Sequence, residues 1–78
     1  MITVRYFAAA AEAAGLDTEQ VPSGEIDDIR ALLGARHGDG LERVLARCAL
    51  LADGSRLEPG DVVPSGATLD VLPPFAGG

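Results

Sequence analysis

Seventy-eight residues carrying a net charge of −6 describe one small domain with a modest core. Twelve acidic residues stand against six arginines and no lysine, which argues against nucleic acid or an anionic membrane as partner and for a protein surface rich in Arg and Lys. A domain this short buries only about 60% of the surface of its unfolded chain, so chemistry is expected on the chain rather than in an enclosed site, and without lysine there is no side-chain amine for a Schiff base or an isopeptide bond.

The clearest strand is Ile2-Thr3-Val4-Arg5-Tyr6-Phe7, whose alternation puts Ile2, Val4 and Tyr6 on one face. By parity Phe7 points the other way. It belongs either to an apolar patch with Leu72 or to a second core layer under the next helix. Ala8 to Ala14 is alanine-rich and closed by Gly15, the pattern of a short helix with a glycine cap. Thr18 to Val21 is a weak strand ended by Pro22. Ile26, Ile29, Leu32 and Leu33 line one face of the central helix, with Asp27 and Asp28 in its first turn, where negative charge suits the helix dipole. Gly34 weakens the expectation for its last turn. Asp39 followed by Glu42 resembles a capping box opening a second helical turn through Ala46.

Ala49 to Ala52 then meets Asp53-Gly54, a strong hairpin signal, with Ser55 to Leu57 as the return strand. Pro59-Gly60 and Pro64-Ser65-Gly66 are further turns, and Thr68 to Leu72 is the last strand. Strands that enclose one amphipathic helix imply an α+β domain, a small mixed sheet with the helix across one face. The first and last strands are the most apolar and are expected as central neighbours.

Cys48, the single cysteine, continues the apolar series Leu41, Val44, Leu45 and reads as a small core residue rather than a nucleophile. With no disulfide framework and no signal-like start, the expected location is a reducing cytoplasm. No apolar run nears the roughly 18 residues of a membrane span. His37, the one histidine, closes the central helix before Gly38, where a basic side chain suits the terminus, and no acid-base partner lies nearby in sequence. There is no metal-ligand spacing and no Gly-rich phosphate loop.

The most informative segment is the end. Pro73 and Pro74 fix φ and donate no backbone hydrogen bond, so the strand must stop at Leu72 and the chain leaves the sheet as a stiff arm. Residues 1–72 form the domain and 73–78 the arm. Phe75 is either an aromatic anchor for a partner groove or a residue that folds back onto its own sheet. Ala76 and Gly77 are small enough to thread a narrow channel, and Gly78 delivers a free carboxyl as the reactive group.

Met1-Ile2-Thr3-Val4-Arg5-Tyr6-Phe7-Ala8, Leu51-Ala52-Asp53-Gly54 and Leu72-Pro73-Pro74-Phe75-Ala76-Gly77-Gly78 together resemble the MoaD/ThiS-type sulfur carriers, above all the small subunit of molybdopterin synthase. The resemblance implies a β-grasp, ubiquitin-like fold. It implies that an E1-like adenylating enzyme uses ATP to convert Gly78 to an acyl-adenylate, and that a persulfide donor supplies sulfur to make a thiocarboxylate. It implies, as partner, the large synthase subunit, in whose pocket this sulfur reaches cyclic pyranopterin monophosphate. Gly77 and Ala76 then thread the channel, and Phe7, Leu72, Pro73, Pro74 and Phe75 meet the partner. On this reading the chain holds no cofactor or metal and is a co-substrate, not an enzyme on its own. A carrier for thiazole, cysteine or tRNA thiolation, a ubiquitin-like modifier and a plain interaction module are the alternatives.

Overall fold

Ile2, Val4 and Tyr6 of β1 (Ile2–Tyr6) are buried while Thr3 and Arg5 are not, so the alternation in the sequence is the division between core and surface. The computed structural model describes residues 1–74. β1 lies parallel to β7 (Thr68–Leu72), with Val4 beside Leu69 and Tyr6 beside Val71. β2 (Thr18–Val21) pairs antiparallel with the other edge of β1. β4 (Ala49–Ala52) pairs antiparallel with β7 and with β5 (Ser55–Arg56), giving a five-stranded sheet in the order β2-β1-β7-β4-β5. The expected adjacency of first and last strands holds, with β7 at the sheet's centre.

The helices α1 (Ala9–Ala14), α2 (Ile26–His37) and α3 (Asp39–Leu45) supply the apolar layer that covers one face. Ala10, Ile26, Ile29, Leu33, Leu41 and Leu45 join the inward residues of the strands in one cluster. Gly15 caps α1 in the left-handed region, its N–H donating to Ala11, as the glycine-cap pattern predicts. Asp53 and Gly54 both hold positive φ, 48° and 86°, the geometry of the tight hairpin turn that an Asp-Gly pair favours.

Three expectations need correction, and one strand pair is new. Gly34 does not break α2, which runs to His37: Glu42 lies over it, its Cγ only 2.9 Å from where a Cβ would sit, so a glycine allows α3 to close on α2. The Asp39–Glu42 capping box does not form; Gly38 is the N-cap, Asp39 is already helical, and Glu42 turns toward α2 instead. Cys48 is in the core but beyond the helix, which ends at Leu45, its Sγ donating to the Val44 carbonyl at 3.1 Å. Burial pushes the Cys48 thiol pKa up, which suits a packing role. Finally, β3 (Gly24–Glu25) and β6 (Val62–Val63) form a separate antiparallel pair that local patterning does not reveal, because each is only two residues long.

His37 has the acid partner that its sequence neighbourhood lacks. Glu19, from edge strand β2, receives hydrogen bonds from Tyr6 Oη and His37 Nε2, both at 2.5 Å, and from Arg36 at 2.7 Å. The tyrosine and histidine rings also meet edge to face, 6.0 Å apart. Burial raises the Glu19 pKa, but the hydrogen bonds from Tyr6, Arg36 and His37 outweigh it and hold the carboxyl below its ordinary range. This cluster ties the end of α2 to the edge of the sheet.

Glu19→Gln should therefore cost about 1–3 kcal/mol in urea unfolding at neutral pH. Because Glu19 titrates lower in the folded chain, its stabilisation is present above about pH 4.3 and is lost as pH falls through the folded value. The variant's stability should lack that part of the acid limb; an identical limb in both proteins would show that the cluster does not contribute.

Candidate functional site

The face of the sheet opposite the helices carries the residues singled out in β1 and β7. Register places Arg5 beside Asp70, and Arg5 Nε and Nη2 donate to the two carboxylate oxygens at 2.6 and 2.9 Å. The Arg5 side chain is half exposed, so this pair orients more than it stabilises. Its guanidinium carbon lies 5.6 Å from the centre of the Phe7 ring, a cation–π contact on the outer face.

That contact decides between the two readings of Phe7. It is 38% exposed and sits on the Arg5 side of the sheet, not in a second layer under α1. The backbone helps to hold it there. Ala8 has φ 49° and ψ −124°, an arrangement that costs a non-glycine residue about 1–3 kcal/mol, and a 3.0 Å bond from Ala10 N–H to the Phe7 carbonyl closes the turn. The chain swings to the opposite side to begin α1, leaving Phe7 at the carboxyl end of β1.

Leu72 lies on the same outer face, two residues beyond Asp70, with Ala49 of β4 directly opposite and Leu51 opposite Asp70. Leu72, Ala49 and Leu51 are each half-buried. Phe7, Leu72, Leu51 and Ala49 are therefore the apolar residues of the outer face, at and near the end of the sheet from which the chain departs. The strand stops at Leu72, as the prolines require, and neither Pro73 nor Pro74 is in the sheet. Pro73 is half-buried and Pro74 exposed. Phe75, Ala76, Gly77 and Gly78 lie outside the described residues.

The sequence singled out nothing else at the arm's root, yet the structure brings three more residues there. Ala9 of α1, Val44 of α3 and Arg47 line a depression of about 220 Å³ walled by Pro73 and Pro74. The available signal was weak: Arg43 and Arg47 lie four residues apart in a chain that is otherwise acidic. Among the described residues, no helix is long and apolar enough to cross a membrane.

Residues 4–78 match the model of the ThiS family. The chain belongs to that family. The match reaches Gly78, and so includes the whole arm. The fold is the β-grasp, ubiquitin-like arrangement: SAMP1 from Haloferax volcanii superposes with a TM-score of 0.84 at 27% identity, covering 99% of this chain and 98% of its own. The putative molybdopterin converting factor subunit 1 from Pyrococcus furiosus gives a TM-score of 0.81 at 22% identity, over 95% of this chain and 97% of its own. Subunit 1 in the complex of subunits 1 and 2 of the molybdopterin-converting factor from Helicobacter pylori gives 0.73 at 22% identity, over 99% and 97%. No curated protein sequence matches the chain.

Phe7→Ala should cost less than about 1 kcal/mol of folding stability, whereas Leu69→Ala, which empties a fully buried site on β7, should cost about 2–5 kcal/mol. Equal losses in chemical denaturation would return Phe7 to the core.

Proposed function

We propose that this ThiS-family chain carries sulfur as a thiocarboxylate on the C-terminal Gly78 and serves as the small subunit and co-substrate of molybdopterin synthase. The observation that carries this is the exit of the arm: a Pro-Pro pair leaves the central, doubly paired strand in a chain whose family match runs to Gly78. The β-grasp domain is then a rigid handle, and the prolines reduce the entropy lost when the arm enters a partner.

A carboxylate is a poor electrophile, and the chemistry has to change that first. At an E1-like enzyme, a Gly78 carboxylate oxygen attacks the α-phosphorus of ATP and pyrophosphate leaves, giving the acyl-adenylate. The terminal sulfur of a persulfide donor then attacks the acyl carbon and AMP departs, leaving an acyl disulfide. A thiol attacks the sulfur still bonded to the donor's carbon, forming a disulfide with the donor and expelling the thiocarboxylate. In the pocket of the large subunit this sulfur attacks cyclic pyranopterin monophosphate. The likeness to molybdopterin-converting factor subunits supports this destination, and the Helicobacter pylori structure, a complex of subunits 1 and 2, is the precedent for the partner.

This chain's own contribution is delivery. Gly77 and Ala76 give the width and backbone freedom that a narrow channel requires. Phe7, Leu72, Pro73, Pro74 and Phe75 form the surface that the activating enzyme and the large subunit engage in turn. One other fate of the same adenylate has specific support. The likeness to SAMP1, also described as small archaeal modifier protein 1, favours transfer of Gly78 to a partner's lysine as the second reading.

Gly77→Val should leave the unfolding midpoint unchanged and reduce sulfur delivery to the pterin precursor by about 100-fold or more, because a misplaced reacting group costs at least that much. Deleting Gly78 should abolish delivery. Full activity of Gly77→Val with the large subunit would refute threading, and lysine conjugates formed without any dithiolene product would select the modifier.

A further inference from the structure

Three surface depressions meet along one side of α3 and run to the root of the arm. The largest, about 520 Å³, is lined by Arg43, Val44, Ala46 and Arg47. It shares Arg43 and Ala46 with a second at the start of α3, and Val44 and Arg47 with the depression that Pro73 and Pro74 wall. The result is one trough with an apolar end at the arm, a cationic middle and, at the start of α3, an acidic end at Asp39 and Glu42.

The two arginines are uncommitted among the described residues. The ion pairs there engage Arg5, Arg36 and His37, and Arg30 donates to the Leu45 carbonyl. Arg43 and Arg47 are exposed and belong to none of these pairs. The acids of α3 lie at its start, where Asp39 and Glu42 line the depression farthest from the arm and Glu42 also leans over Gly34 of α2; of charged residues, the two depressions nearer the arm carry only the arginines. On a chain of net charge −6, this is a local reversal of sign beside the one segment that must enter another protein.

We propose that the trough docks an acidic, apolar-bearing segment of the protein that receives the arm. Its carboxylates sit on Arg43 and Arg47, and an apolar side chain fills the space between Ala9, Val44, Pro73 and Pro74. The proposal rests on the carrier reading for the identity of that protein. Charge complementarity selects the occupant, since the rest of the chain repels an acidic segment, and the shared proline wall makes trough and arm a single docking surface. Arg43 is in the last turn of α3 and Arg47 lies two residues past its end, and both line the same depression.

Two measurements on the full chain test this. In the first, a capped peptide of alternating glutamate and leucine is titrated into isotope-labelled protein, beside a control peptide with lysine for glutamate. Amide shifts confined to Ala9, Val44, Ala46 and Arg47, absent with the lysine peptide and erased by Arg43→Glu/Arg47→Glu or by about 1 M salt, are the expected result. No shifts, or shifts around Phe7 and Leu72 that survive the double reversal, would overturn the proposal. In the second, the concentration dependence of Gly78 adenylation is followed with the E1-like enzyme. The double reversal should raise KM about tenfold with kcat nearly unchanged, Arg43→Gln/Arg47→Gln should give a smaller rise, and Arg56→Glu should have no effect. An unchanged KM in folded double-reversal protein also overturns it. If wild-type chain is not adenylated at all, the carrier reading fails and the peptide titration alone decides the trough.

Discussion

The parallel pairing of β1 with β7 is the constraint on which the rest depends. It joins the first strand to the last across the centre of the sheet, so the strand from which the arm leaves is held by the one that opens the chain. Parallel strands need a crossover, and here that crossover contains the helices that cover the buried face. β7 is held on both edges, by β1 and by β4, and further fixed by backbone bonds from Thr3 to Ala67 and from Asp53 to Thr68. A segment leaving such a strand starts from a rigid point. The prolines then determine that it leaves, since they cannot continue the ladder.

From that anchoring follows the division of labour between the two faces. The inner residues of β1, β4 and β7 are buried against the helices, and the outer ones are left for orientation and contact. Arg5, held by Asp70, supports the Phe7 ring without burying it. The strained turn at Ala8 sends the helical crossover to the other side and leaves the outer end of the sheet open. A small domain with little interior to spare thus devotes its core to stiffness, which suits the proposed carrier role.

Much of this was legible in the sequence because it is encoded locally. Strand alternation in Ile2 to Tyr6, the Asp53-Gly54 turn and the Pro73-Pro74 stop each act through a few neighbouring residues whose conformational preferences are strong. What escaped was set by distant partners. Glu19 meets Tyr6, Arg36 and His37 only after β2 and α2 are in place, and the Gly34–Glu42 contact exists only once α3 folds onto α2. The two-residue β3 and β6 have too few residues to show a period. At the site, Phe7, Leu72 and the prolines were readable from parity and ring chemistry. Ala9, Val44 and Arg47 were not, because helix packing alone brings them to the arm.

The central claim is that the chain's carboxyl end is its reactive group, and intact mass tests it most directly. The protein would be incubated with ATP, a persulfide donor, a thiol and its E1-like enzyme, beside a sample lacking ATP. The account predicts a gain equal to replacing one oxygen with sulfur, confined to the C-terminal peptide and lost when Gly78 is deleted. An unchanged mass beside an enzyme that demonstrably turns over ATP with this chain, or a gain located elsewhere, would contradict it.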